Sequence, residues 1–193
     1  GYYNKPTQEG LYLHFKAISD AVDLPIIVYN VPARTIVDIL PATLARMAGL
    51  KNVTGVKDAT SNIARMSQHR QLISKPFSYL TGEDATALGF NAHGGHGAIS
   101  VTANVAPALC AEFQAACAKG DYAKALKLHD QLMPLHDALF VETNPAPVKY
   151  AASQLGFGTA ECRLPLAPLT EGTRKAVDAA MVSAGLLQVK AAE

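Results

Sequence analysis

A repeated alternation of strands and helices is the feature that most constrains the fold of this chain. Four short apolar stretches rich in β-branched or aromatic residues recur along its first half, at residues 25–29, 53–57, 77–81 and 97–101. Apolar residues at helical spacing fill the segments between them, which is typical of strand-helix units. Strands joined through helices pair in parallel. The sequence therefore predicts an α/β fold with four buried parallel strands.

After residue 104 the strand pattern stops and helical patterns take over. Alanine-rich amphipathic segments cover residues 107–119, 122–139, 145–155 and 170–184. Residues that commonly begin or end helices accompany them, namely Gly120, Pro134, Pro145, Gly156 and Gly185. We therefore expect two parts, an α/β region at residues 1–106 and a helical C-terminal domain at residues 107–193.

Two architectures hold parallel strands in this rhythm: a doubly wound open sheet and a (β/α)8 TIM barrel. A barrel needs eight strands and about 250 residues. Four strands in residues 1–106 would then be half of a barrel, with two unpaired edges to be covered. Under the barrel interpretation the other half is absent from this chain.

The composition excludes several function classes. The chain has 193 residues, 49% of them hydrophobic, and a net charge of +1, with no concentrated basic segment for nucleic acid. No apolar run reaches the roughly 18 residues that span a bilayer, and no secretory signal is visible, so we expect a cytoplasmic protein without a membrane partner. Three cysteines without a CxxC pair give little support to disulfides or zinc, and His93 and His96 lack a third ligand at useful spacing.

Lys57 is the most informative single residue. It ends the second predicted strand, and ligands of parallel α/β proteins bind at the carboxyl ends of strands. Desolvation there favours the neutral amine, which is the form that attacks a ketone to give an imine. A lysine whose amine merely extends from the strand end into water is the alternative, and position alone does not separate the two.

Two further candidates follow the first predicted strand. Tyr29 places a phenol at the same edge as Lys57, where it could relay protons. Arg34 offers a planar guanidinium suited to a carboxylate. Their alternatives are a tyrosine at the edge of the core and a solvated loop arginine, and the sequence pattern by itself favours the latter for Arg34.

Several motifs in order resemble the dihydrodipicolinate synthase family. The segments that carry the resemblance are YYNKPTQEGLYLHF (2–15), YNVPART (29–35), GVKDATSNIARM (55–66), LTGED (80–84), GGHGAISVTANV (94–105), LMPLHDALFVETNPAPVKYA (132–151) and RLPLAPLT (163–170). They extend over nearly the whole chain. Any one of them would be a weak indication, whereas the set in this order is specific.

The resemblance implies a homotetrameric (β/α)8 lyase that condenses pyruvate with aspartate 4-semialdehyde in lysine biosynthesis, without a metal or other cofactor. It implies that Lys57 forms the Schiff base and that Tyr29 shuttles protons. Arg34 resembles the residue that holds the carboxylate of the semialdehyde. The remaining positions that it implies are Gly82 and Ile99 around pyruvate, Tyr3 reaching into a neighbour's active site, and Tyr2 at the site of lysine inhibition.

The same resemblance implies that this chain is the C-terminal part of a barrel, with strands 5–8 and the helical domain. In the family, a pair of hydroxyl residues on an early strand binds the pyruvate carboxylate and completes the proton relay, and this chain starts after it. We therefore expect a fragment with little activity alone.

Two other functions stay open. A related pyruvate aldolase, such as N-acetylneuraminate lyase or a keto-deoxy sugar acid aldolase, would use the same lysine and tyrosine. Arg34 and the opening YYN favour the synthase over these. A non-catalytic half-barrel that only binds a partner chain or pyruvate is the alternative from another class.

Overall fold

The computed structural model describes residues 3–188. Its contacts divide the chain into two compact units, which meet in sequence between Ile99 and Ser100. The first unit contains the parallel sheet and the second is helical, and each is described by itself.

The first unit is a four-stranded parallel sheet, as the sequence predicted, and its strands lie in chain order. Helices follow the strands along the chain. Its elements are α1 (Gln8–Ala21), β1 (Ile26–Asn30), α2 (Pro32–Thr35), α3 (Pro41–Ala48), β2 (Val53–Asp58), α4 (Arg65–Leu72), β3 (Ser78–Thr81), a 3-10 turn (Asp84–Thr86), α5 (Ala87–Ala92) and β4 (Gly97–Ala98).

The two faces of this sheet have different surroundings. Val28, Val56 and Tyr79 are buried in one apolar core with residues of α3, α4 and α5, including Leu44 and Met66. Burial of such a face is the main driving force for a sheet of this kind.

Side chains alternate along a strand, so the residues between these core positions point to the other face. That face is uncovered within the first unit, residues 3–99. Ile27 is 45% exposed and Tyr29 is 44% exposed on the edge strand β1, although both faces of a parallel sheet are usually covered.

The prediction for the fourth strand was wrong in length, because only Gly97 and Ala98 form it instead of residues 97–101. The Ile99 amide still donates to the Thr81 carbonyl over 2.9 Å. Past that point Ser100 accepts a hydrogen bond from the Ala103 amide at 2.9 Å and a 3-10 turn begins (Thr102–Asn104). A local side-chain acceptor thus replaces the strand ladder.

The second unit is helical, as predicted. Its helices are α6 (Pro107–Ala118), α7 (Tyr122–Ala138), α8 (Ala146–Gln154) and α9 (Glu171–Ser183). Leu132, Leu135, Val177 and Met181 lie at the centre of their shared core. No helix within residues 3–188 is long and apolar enough to cross a bilayer.

Four of the five residues predicted at helix ends lie there, including Pro145 at the N-terminal cap of α8, and one prediction is wrong. Gly120, Gly156 and Gly185 each take a positive φ just after a helix, which is the usual position of a glycine that ends one. Pro134 instead lies inside α7. Proline there leaves one helical hydrogen bond unmade, and packing of the flanking Leu132 and Leu135 into the core outweighs that loss.

Candidate active site

Tyr29 and Lys57 lie side by side where β1 and β2 end. They are direct partners in the register of the two strands, and both side chains belong to the uncovered face of the sheet. The Lys57 Nζ lies 4.1 Å from the centroid of the Tyr29 ring. The side-chain nitrogen is therefore beside the phenol instead of extending into water.

The surroundings of Lys57 favour its neutral form. Burial lowers the pKa of the Lys57 amine, and the nearby carboxylate of Asp84 opposes that shift without cancelling it. Asp84 is buried at the start of the 3-10 turn that follows β3. An amine with a lowered pKa is the nucleophile that imine chemistry needs.

Gly82 makes the room that the Lys57 side chain occupies. A Cβ atom on Gly82 would lie 2.7 Å from Lys57 Cε and 3.0 Å from the Cβ of Ala59. The Gly82 amide donates to the Asp58 carbonyl over 2.7 Å, which fixes its backbone at this position. A larger residue here would displace the Lys57 side chain, so glycine is favoured by close approach and not by an unusual φ.

The other predicted site residues are exposed to solvent where the structure describes them. Ile99 follows β4 and its side chain is 43% exposed. Arg34 lies on α2, is exposed, and forms no ion pair with any residue from 3 to 188. Tyr3 is 90% exposed. Tyr2 lies outside the described residues.

The histidines that were considered as metal ligands have other contacts. His93 Nδ1 lies 2.8 Å from the Gly89 carbonyl oxygen, and His96 Nδ1 accepts a hydrogen bond from the Tyr79 amide at 3.0 Å. Among the residues that the structure describes, no group of three or more His, Cys, Asp and Glu side chains could hold a metal ion. Within residues 3–188, Cys110, Cys117 and Cys162 do not form disulfides.

A buried polar layer beneath the site was not predicted from the sequence. Asn30 and Asp58 directly follow Tyr29 and Lys57 and are register partners, so they point into the face that the helices cover. Arg65 and His69 of α4 are also buried. Strand alternation could have located this layer, because a polar residue on a buried face needs partners.

Comparison with known proteins identifies the relatives of this arrangement. Residues 1–184 match the model of the family described as the dihydrodipicolinate synthetase family. The chain belongs to this family. Membership places it in the TIM-barrel class with a helical C-terminal domain, and the parallel sheet followed by helices agrees with that class.

Relatives named 4-hydroxy-tetrahydrodipicolinate synthase match almost all of this chain. The protein of Parvibaculum lavamentivorans is 64% identical over 187 residues, which are 97% of this chain and 64% of the relative. That of Afipia carboxidovorans is 61% identical over 96% of this chain and 63% of its own length. The chain thus spans slightly less than two thirds of the length of these relatives.

Solved structures of dihydrodipicolinate synthases also match almost all of this chain. A dihydrodipicolinate synthase from Aquifex aeolicus superposes with a TM-score of 0.93 at 40% identity, over 96% of this chain and 64% of that one. The chloride-inhibited synthase from Acinetobacter baumannii, complexed with pyruvate, superposes with a TM-score of 0.92 at 43% identity and the same coverage.

Proposed function

We propose that this chain is part of a 4-hydroxy-tetrahydrodipicolinate synthase, a Schiff-base-forming lyase of lysine biosynthesis. The relatives with that name support the proposal. The observation on which it chiefly rests is the position of Lys57, an amine with a lowered pKa whose Nζ lies 4.1 Å from the Tyr29 ring at the ends of two parallel strands.

The proposed reaction begins when the neutral Lys57 Nζ attacks the keto carbon of pyruvate. The keto oxygen leaves as water and an imine forms. Loss of a proton from the methyl carbon gives an enamine, and this carbon attacks the aldehyde of aspartate 4-semialdehyde. Cyclisation and transimination then release the product and regenerate Lys57. No metal or other cofactor takes part.

We assign a role to each of the other predicted site residues. Tyr29 carries protons to and from the imine. Gly82 and Ile99 line the pyruvate site, and Arg34 binds the carboxylate of the semialdehyde through its guanidinium. Tyr3 reaches into the active site of a neighbouring subunit in a homotetramer, and Tyr2 contributes to a site for the inhibitor lysine. We place the enzyme in the cytoplasm.

The uncovered face of the sheet supports a half-barrel. In a closed barrel the inward-facing residues are packed by the opposite strands, whereas Ile27 and Tyr29 are about half exposed here. We propose that residues 1–106 are strands 5–8 of an eight-stranded barrel and that residues 107–193 form the C-terminal domain. Without the opposite wall, the site around Lys57 stays wet, and we expect this chain alone to turn over little substrate.

Trapping with pyruvate and borohydride tests the proposal. The sample should be this chain joined to those segments of the Parvibaculum lavamentivorans relative that lie outside the matched region. We call this protein the barrel-complete form. Reduction of the imine should add about 72 Da to the peptide that contains Lys57. A folded, barrel-complete sample without this adduct would rule out the lyase. An adduct without turnover of aspartate 4-semialdehyde would indicate one of the related aldolases.

The pH dependence of trapping gives a second prediction. Because the pKa of Lys57 lies below the ordinary 10.5 of lysine, the rate should rise with pH and level off earlier than for an exposed lysine. Asp84 raises this pKa, so Asp84→Asn should move the midpoint of the rate profile to lower pH. Stopped-flow trapping across a pH series measures both midpoints.

Glu83→Gln is the matched control for this series. Glu83 is the preceding carboxylate and accepts a hydrogen bond from the Ala85 amide, and it is not among the groups that shift the pKa of Lys57. Its midpoint should equal that of the wild type. An upward shift for Asp84→Asn would contradict the electrostatic argument.

A further inference from the structure

The loop that carries Arg34 is closed at its base by two side chains. Asn30, the last residue of β1, donates from Nδ2 to Asp38 Oδ1 over 2.8 Å. The Asn30 Oδ1 accepts from the Ile39 amide at 3.1 Å. Residues 31–37 therefore leave and re-enter the fold at a fixed point, one residue beyond Tyr29.

Arg65 of α4 contacts Asp38 and Ile39, the residues at the end of this loop. One of its terminal nitrogens, Nη2, is ion-paired with Asp38 Oδ2, and the other, Nη1, donates to the Ile39 carbonyl over 3.0 Å. Arg65 is only 8% exposed, and its partner Asp38 is partly buried. Asn30, Asp38 and Arg65 are called the loop clamp below.

Two further observations show that the loop conformation is held firmly. Gln8 of α1 donates to the Asp38 carbonyl over 2.8 Å and accepts from the Leu40 amide at 3.1 Å. Ile36, within the loop, has a φ of 66°. A β-branched residue takes this left-handed conformation only where its surroundings impose it, and such sites cluster at functional loops.

We propose that Asp38 and Arg65 are positioning residues for recognition of the second substrate, because they fix where Arg34 lies relative to Lys57. The inference rests on the proposed function, in which Arg34 binds the carboxylate of the aldehyde. Arg34 forms no ion pair within residues 3–188, so the path of its own loop determines where its guanidinium can reach. A binding group contributes fully to substrate affinity and rate only when it is held in the productive geometry.

If the clamp had a purely structural role, its loss would affect both substrates equally. A buried ion pair adds little net stability, since the cost of desolvation offsets the attraction between the charges. It does fix one arrangement of the groups it joins. Removing one partner leaves the other charge unpaired and lowers the free energy of unfolding. If the clamp also positions Arg34, its loss should disturb recognition of the aldehyde more than it disturbs the pyruvate site.

The test is Arg65→Met in the barrel-complete form, with steady-state kinetics on both substrates. We expect the KM for aspartate 4-semialdehyde to rise about tenfold or more, while the KM for pyruvate and the rate of borohydride trapping change less than about twofold. The matched control is Arg46→Met, which removes a different ion pair of the same unit, that with Glu9 at 2.8 Å. It should leave both KM values unchanged.

A double-mutant cycle with Arg34→Ala separates positioning from stability. If the clamp acts through Arg34, Arg65→Met should add almost nothing to the aldehyde KM of Arg34→Ala. Additive effects, or equal losses for both substrates, would overturn the inference. A wild type that traps no pyruvate would instead overturn the proposed function.

Two measurements keep the test decisive if Arg65→Met folds poorly. Asp38→Asn keeps the shape of the side chain and an acceptor for Asn30 while removing the charge that pairs with Arg65, and it should reproduce the effect selective for the aldehyde. Hydrogen exchange should also be faster in residues 31–37 of either variant than in Arg46→Met. Unchanged exchange in this loop would refute the clamp.

Discussion

Lys57→Met should abolish covalent capture of pyruvate and lower turnover by at least about 1000-fold in the barrel-complete form. Methionine has a similar length and volume but no amine, so no imine can form. It also removes the cost of burying an amine, and the free energy of unfolding should therefore not fall. Intact-protein mass after borohydride treatment and a coupled turnover assay measure the two losses.

Lys51→Met is the control for this variant. Lys51 lies just before β2, at the opposite end of the strand from Lys57, and its Nζ pairs with Asp23 at 2.8 Å on the surface. Its replacement should leave both trapping and turnover at the wild-type level. An adduct that persists in Lys57→Met and disappears in Lys51→Met would place the Schiff base on the wrong lysine.

Gly82→Ala should slow trapping by about 100-fold, because the new methyl group takes the space of the lysine side chain. Its Cβ would lie 2.7 Å from Lys57 Cε and 3.3 Å from Cγ, whereas ordinary van der Waals contact begins at 3.4 Å, so the lysine side chain has to move. A misplacement approaching 1 Å can cost about two orders of magnitude in rate. The lysine is flexible and can move, so the melting temperature should change little.

Gly89→Ala tests whether any alanine in this region has the same effect. Gly89 lies on α5, and a Cβ there would meet only Ile63 side-chain atoms, the nearest at 3.4 Å. Trapping should be unchanged and the melting temperature equal or slightly higher, since alanine favours helix over glycine. If Gly82→Ala traps pyruvate at the wild-type rate, the geometry described for Lys57 is incorrect.

Much of the fold could be predicted because periodic burial leaves a strong pattern in the sequence. The β-branched residues of 25–29 and 53–57 predicted β1 and β2 to within one residue, and the helical spacing of 107–119 predicted α6 to within one residue. The short helix α2 was missed because four residues do not complete two turns of a pattern. The end of β4 was missed because a single serine hydroxyl decides it.

The site was predictable only in part, for a related reason. Lys57 and Tyr29 stand at strand ends, where position along the chain already indicates function. The contacts of Asp38 with Asn30 and with Arg65 join residues that are 8 and 27 positions apart in sequence, and no local pattern predicts them. The space for Lys57 beside Gly82 likewise depends on how β2 and β3 approach each other.

The alternation of side chains has an evolutionary consequence for β1 and β2. Tyr29 and Lys57 lie on the face of the proposed active site, while their immediate successors Asn30 and Asp58 are buried on the opposite face. Deleting or inserting one residue within either strand would move each side chain to the opposite face. The lysine or tyrosine would then point into the core, and the buried polar residue would point into the proposed active site. Natural variation in these strands should therefore be confined to point replacements, with changes in length restricted to the connecting loops.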